Sequence, residues 1–187
     1  MEHIAHPAIR NAGTFGGSLA TADPAAEWPA CCVALDAQIV LAGKAGTRTV
    51  AARDFFQGLY ATAMQPNEII TEVVIPIPAA GTRHAFLELA RRRGDYAMVG
   101  VAALATFSGG APRDVRLTFL GAGDKPLSAT KTAQVFVNKG ISESSLKEAQ
   151  DTLATELDPA ADLYSTAATK LHLARVLTAR IMKQLVA

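Results

Sequence analysis

Apolar and polar residues alternate along some stretches of this chain and recur at helical spacing along others. Asn67 to Pro78, "NEIITEVVIPIP", alternates enough to predict a strand that its prolines end. Upstream, "AQIVLAG" and "RTVAA" are runs of strand-forming residues joined by "KAGT", which together predict a hairpin. Ala25 to Leu35 predicts a short helix, with Pro24 suited to its first turn and Asp23 a candidate N-cap. "ARDFFQGL" predicts one helical turn.

Pro and Gly cluster in "IPIPAAGTR", Ile75 to Arg83, which marks the best internal boundary. Beyond it, "HAFLELARR", "YAMVGVAALATFS" and "DVRLTFLGAG" predict three antiparallel strands joined through "RGD" and "GGAPR". From Leu127 the rhythm turns helical. "SATKTAQVFVNKG" closes on Gly140 as a C-cap, and "SESSLKEAQDTLATEL" opens with Ser142 three residues ahead of Ser145. Tyr164 to Val186 then places Leu171, Leu173, Val176, Leu177, Ile181 and Leu185 near one face. The expected fold class is α+β, its second half a three-stranded antiparallel sheet with a three-helix bundle.

Half of the 187 residues are hydrophobic and 19% are charged, which is enough apolar material for a core. The net charge of +1, with signs interspersed, gives no broad basic surface for nucleic acid or a membrane. Cys31 and Cys32 are the only cysteines. As neighbours they cannot form a C-x-x-C pair, and they read as small buried residues on a helix in a reducing compartment. The start, "MEHIAHPAIRNAG", lacks the basic and apolar parts of a signal peptide. The most apolar run carries Asp36 and is too short for a membrane span, so a cytoplasmic location is expected. His3, His6, His84 and His172 are scattered, and no metal site is expected. Trp28 and the Phe55-Phe56 pair read as core.

The chemistry concentrates in "IRNAGTFGGSLATADPAAEWP", Ile9 to Pro29. Backbone N–H groups in a glycine-containing turn form an anion-binding concavity, and a following helix N-terminus adds its dipole. Gly16 and Gly17 let a backbone approach a pyrophosphate, while Thr14, Ser18 and Thr21 offer hydroxyls. Asp23 and Glu27 are acceptors for ribose hydroxyls or ring N–H groups. The expected structure is a loop that wraps a phosphorylated ligand. No Gly-Lys-Ser/Thr follows, and no strand precedes, so neither a Walker loop nor a dinucleotide-binding βαβ unit is present.

This stretch resembles the second flavin-binding motif of the FAD-binding (medium) subunit of the molybdenum hydroxylases, the family of aerobic carbon monoxide dehydrogenase and xanthine dehydrogenase. The likeness continues through "RTVAARDFF", "NEIITEVVIP" and "FLELARRRGDYAMVGVAA" and covers essentially the whole chain. It implies that residues 1–78 form the second FAD-binding subdomain, the C-terminal part of a PCMH-like domain. Residues 79–187 then form the flavoprotein C-terminal domain. By resemblance, Thr14, Phe15, Gly16, Gly17 and Ser18 hold the FAD pyrophosphate. Glu27 occupies an acid position that touches the cofactor, with Asp23 close by, and Ile70 lies along the isoalloxazine. Asp95 and Tyr96 stand where the second domain approaches the ring; at Glu88 some relatives carry a Lys that contacts it. No catalytic residue is implied.

The family's flavin subunit begins with a further subdomain bearing its own Ala-Gly-Gly pyrophosphate loop, and FAD lies between the two. Here Met1 stands shortly before the second motif and no other such loop occurs, "FLGAGDKP" reading as a strand exit. A truncated or split subunit is therefore expected. The function implied is electron transfer through FAD from [2Fe-2S] clusters to an external acceptor such as quinone or NAD. Partners would be an iron–sulfur small subunit and a large subunit carrying molybdopterin cytosine dinucleotide. The alternatives are a non-enzymatic fragment that contributes only a subunit interface, or an unrelated nucleotide-binding module.

Overall fold

The structure, a computed structural model, describes residues 4–186. The opening stretch, expected as a loop, is helical in two pieces, α1 (Pro7–Ala12) and α2 (Phe15–Thr21). Thr14 supplies the reason. Its Oγ1 accepts the Gly17 N–H at 3.0 Å, an N-cap that starts a helix in spite of two glycines. Ala22 ends it in left-handed backbone, φ 52°. Next, α3 (Glu27–Ala34) replaces the helix expected from Ala25, and Asp23 does not cap it. Ala26 is the N-cap, while Asp23 Oδ1 accepts the Ala25 N–H at 2.8 Å in a turn one step earlier.

The hairpin forms as β1 (Gln38–Gly43) and β2 (Gly46–Ala51), with Gly43 opposite Gly46. The expected helical turn is α4 (Ala52–Phe55), which leads straight into a small ribbon of β3 (Phe56–Gly58) and β4 (Ala61–Thr62). β5 (Ile69–Val74) then pairs antiparallel with the free side of β1, giving the order β2-β1-β5. Leu19, Ile39, Leu41, Phe55 and Phe56 fill the core between this sheet and the helices, the two rings meeting edge to face at 5.1 Å. Arg48 clamps the hairpin to the approach of β5. Its Nε and Nη2 reach the two Glu68 carboxylate oxygens at 2.7 and 2.8 Å, and Nη2 also donates to the Ala63 carbonyl at 2.6 Å.

The second sheet is antiparallel, in the order β6 (Thr82–Ala90), β7 (Ala97–Ser108), β8 (Ala111–Leu120) and β9 (Leu127–Ser128). It has four strands where three were expected. Leu127 and Ser128 pair with Phe119 and Thr118 before the chain turns helical, a step too short to leave an alternating pattern. Val99, Val101, Ala103 and Ala105 of β7 and Val115, Leu117 and Phe119 of β8 point to one face. Three helices cover that face as a layer: α5 (Thr130–Lys139) on β8, α6 (Glu143–Leu153) beside α5, and α7 (Ala167–Val186) on β6 and β7. Ser142 and Ser145 form a reciprocal capping box on α6. Glu156, expected inside that helix, instead accepts the N–H groups of Lys131 and Thr132 and caps α5, each at 2.8 Å. α7 begins after the expected Tyr164 because Asp162 Oδ1 accepts the Tyr164 and Ser165 N–H groups and holds a turn there.

The other face of this sheet is where the two halves meet. α3 lies on it, burying Ala30 with Ala97 and Leu120 beside Phe86. Among the described residues, no helix is long and apolar enough to cross a membrane.

Candidate functional site

A cleft of about 1750 Å³ opens between the N-terminal helices, the β6–β7 loop and the segment joining α6 to α7. Three separated stretches bring the expected residues to its wall. Thr14, Phe15, Gly17 and Ser18 come from the start of α2. Asp23 and Glu27 come from the α2–α3 connection and the first turn of α3, and Asp95 and Tyr96 from the β6–β7 loop.

At the α2 end, the Thr14 cap and Gly17 depend on each other. A Cβ on Gly17 would stand 2.8 Å from Thr14 Oγ1, inside the cap itself. With the Gly17 N–H taken by Thr14, the Phe15 and Gly16 N–H groups are the helix donors with no intrahelical acceptor. Thr21 lines the cleft, yet its hydroxyl donates to the Gly17 carbonyl at 2.8 Å and so braces the helix. The Phe15 ring meets Trp28 edge to face at 4.8 Å, anchoring α2 on α3.

Two expected site residues stand away from the wall. Gly16 faces the interior of the first unit, where a Cβ would meet Ile70 Cβ at 3.9 Å. Ile70 packs from β5 against the core beneath α2 and does not line the cleft. The helical twist of α2 separates neighbours that an extended loop would have presented together.

Asp23 serves two structural contacts. One oxygen closes the turn to Ala25, and the other lies 3.3 Å from the Tyr60 hydroxyl, whose proton affinity the carboxylate raises. On the far side, the β6–β7 loop rests on the N-terminal segment, where a Cβ at Gly94 would come within 3.0 Å of His6 Cε1. Tyr96 stands 70% exposed at the rim.

Behind the cleft wall, burial and then the Glu27 charge push the Cys31 thiol up to about 11. Burial, then Cys31, pushes Cys32 up to about 12. Burial thus favours the protonated thiol at both positions. Glu88, on β6 opposite Gly100, does not line the cleft, and burial followed by Glu27 raises it to about 7. Among the described residues no group of three or more His, Cys, Asp or Glu side chains could hold a metal ion.

Sequence reasoning did not identify Leu59, Asp124, Leu163, Tyr164 and Lys170 as cleft residues. They come from three separate parts of the chain, in turns or near the start of α7, and no spacing connects them.

Comparison with known proteins decides the family. Residues 1–78 match the FAD binding domain in molybdopterin dehydrogenase, and residues 84–185, more than half of the chain, match the CO dehydrogenase flavoprotein C-terminal domain. The chain belongs to the FAD-binding medium subunits of the molybdenum hydroxylases. Relatives in this family include the carbon monoxide dehydrogenase medium chain of Afipia carboxidovorans, 35% identical over 97% of this chain and 63% of that protein. The glyceraldehyde dehydrogenase medium chain of Sulfolobus acidocaldarius is 30% identical over 94% of this chain and 62% of its own length. This chain thus spans less than two thirds of either relative. Among solved structures, reconstituted CO dehydrogenase from Oligotropha carboxidovorans superposes with a TM-score of 0.94 at 34% identity, over 98% of this chain and 64% of that one. Quinoline 2-oxidoreductase from Pseudomonas putida 86 gives 0.91 at 37% identity, over 99% and 64%.

The residues present fit the family's cofactor. The cleft is open and large, its α2 end offers N–H and hydroxyl donors around a glycine where a side chain would intrude, and carboxylates stand along the same wall.

Proposed function

We propose that this medium-subunit chain binds FAD in the cleft and acts as the flavin component of a molybdopterin-dependent dehydrogenase. The observation that carries the reading is convergence: motif residues from the α2 start, the α3 start and the β6–β7 loop line one cavity. Thr14, Phe15, Gly17 and Ser18 would hold the pyrophosphate, Glu27 would accept from the ribose or ring, and Asp95 and Tyr96 would border the isoalloxazine. Gly16 and Ile70 would act from behind, fixing the seat of α2 on β5. When bound, FAD supplies the passage of electrons from iron–sulfur clusters to an external acceptor; the protein's part is to bind, orient and shield it.

The partners in this reading are a large subunit carrying molybdopterin cytosine dinucleotide and a small subunit carrying [2Fe-2S] clusters. Residues 1–78 form the second FAD-binding subdomain and 79–187 the flavoprotein C-terminal domain, a division supported by the Pro- and Gly-rich boundary and by where the first family match ends. The test is a visible spectrum and a thermal melt of the purified chain with added FAD. Flavin bands that survive desalting, with a raised melting midpoint, support the reading. A colourless chain with an unchanged melt would overturn FAD binding by this chain alone and favour the interface-only alternative.

A further inference from the structure

Tyr60 stands in a backbone conformation that its side chain disfavours. Gly58 pairs with Ala61, so Leu59 and Tyr60 form the two-residue turn between β3 and β4, and Leu59 lines the cleft. Tyr60 takes φ 53°, the left-handed region that turns usually give to glycine or asparagine. Among the described residues it is the one aromatic residue with such a backbone. Burial does not hold it there, since Tyr60 is 61% exposed. A bulky residue persists under strain where its surroundings make use of the side chain.

The use visible here is Asp23. The Tyr60 hydroxyl lies 3.3 Å from Asp23 Oδ2, a long contact that leaves room to tighten around a ligand. Ala22, directly before Asp23, is left-handed as well, φ 52°, so unfavourable backbone flanks the contact on both sides. Asp23 Oδ1 takes the Ala25 N–H at 2.8 Å. Each carboxylate oxygen therefore has its own donor, which fixes the plane, and each keeps a further lone pair for the cavity that Asp23 lines.

Among the described residues no cation sets that orientation. The basic groups that line the same cavity are engaged elsewhere. Arg10 donates to the Ile4 and Ala5 carbonyls at 2.6 Å each, and His6 lies against Gly94. Arg91 covers the Tyr164 ring, and Lys170 is paired with Asp162 at 2.8 Å. Two neutral donors thus hold Asp23 as an acceptor, which suits a ligand hydroxyl or ring N–H and repels a phosphate.

We propose that Tyr60 is a positioning residue, kept in a strained backbone because its hydroxyl fixes the Asp23 carboxylate as an acceptor for a hydroxyl or ring N–H of the ligand in the cleft. The inference rests on the proposed function in taking that ligand to be FAD.

The test compares Tyr60→Phe, which keeps the ring and removes the hydroxyl, with Tyr60→Gly, which also relieves the strain. Both should bind FAD about three- to tenfold more weakly in a fluorescence titration of the purified chain. The melting midpoint should be unchanged in Tyr60→Phe and raised in Tyr60→Gly, so affinity and stability move apart. A residue with only a structural role would lose both together. Without FAD, tyrosine labelled with ¹³C at Cζ gives a Tyr60 resonance, identified by its absence from Tyr60→Phe, and Asp23→Asn should move it. A resonance that Asp23→Asn leaves in place overturns the proposal. Parental FAD affinity in either variant, or a lowered midpoint in Tyr60→Gly, overturns it too. If the parent chain binds no FAD, the proposed function fails, and the resonance alone decides whether Tyr60 orients Asp23.

Discussion

The Gly121 N–H donates to the Pro24 carbonyl across 2.8 Å, tying the end of β8 to the turn that carries Asp23. Gly121 takes φ +69°, and a Cβ there would stand 2.6 Å from the Met98 carbonyl oxygen. Both the left-handed backbone and the close approach require glycine. Since Met98, Gly121 and Pro24 all line the cleft, this one bond helps set how the two halves enclose it. Gly121→Ala should therefore destabilise the chain by about 1–3 kcal/mol and weaken FAD binding together with it. Urea unfolding and a flavin titration on the same preparations check both effects; unchanged values in both would remove the bond from the account.

The Thr14 cap makes a separate prediction. Removing its oxygen leaves the Gly17 N–H without an acceptor and should cost about 0.5–2 kcal/mol of stability. Thr14→Ser keeps the oxygen and should stay close to the parent in a thermal melt, with Thr14→Ala clearly lower. If the cap also shapes the pyrophosphate end, FAD affinity should follow the same order.

Glu88 should give stability an unusual pH dependence. Burial, then the Glu27 charge, raises its folded value to about 7 from an unfolded value of 4.5. The folded state then holds the proton more tightly, so this contribution favours folding at acid pH and is lost as pH rises from 4.5 to about 7. Glu88→Gln should remove that slope, with an effect on the order of 1 kcal/mol after allowing for screening at a half-buried site. Asp162 acts in the opposite sense. Lys170 first, then the Tyr164 N–H, lower it from 3.8 to about 2, so its contribution is present above 3.8 and lost as pH falls through that window. Urea midpoints measured across about pH 2 to 8 would separate the two slopes.

Cys31 and Cys32 should resist a thiol-specific reagent near neutral pH and react fully only after unfolding, because burial keeps both protonated. Rapid labelling of the folded chain would contradict that. Cys31, the less buried of the two, should lead any slow phase.

Local chemistry made much of the chain legible in advance. The β1–β2 hairpin, the long strands β6 to β8 and the capping box on α6 follow from alternation, turn residues and a Ser three residues from a Ser, none of which needs a distant partner. The family, too, was readable, because a long ordered motif preserves its residue order whatever its conformation. Tertiary structure decided the rest. Gly16 and Gly17 argue locally for a loop, but the Thr14 cap and burial of Leu19 against the first core make that stretch a helix, and its twist turns Gly16 away from the cleft and toward Ile70 of β5. The β9 pairing exists only because Thr118 and Phe119 offer an edge for Leu127 and Ser128. Tyr164 meets Arg91, and Tyr60 meets Asp23, across sequence separations that no periodicity encodes. Secondary structure answers to neighbours along the chain; the wall of a cleft answers to neighbours in space, which only packing assembles.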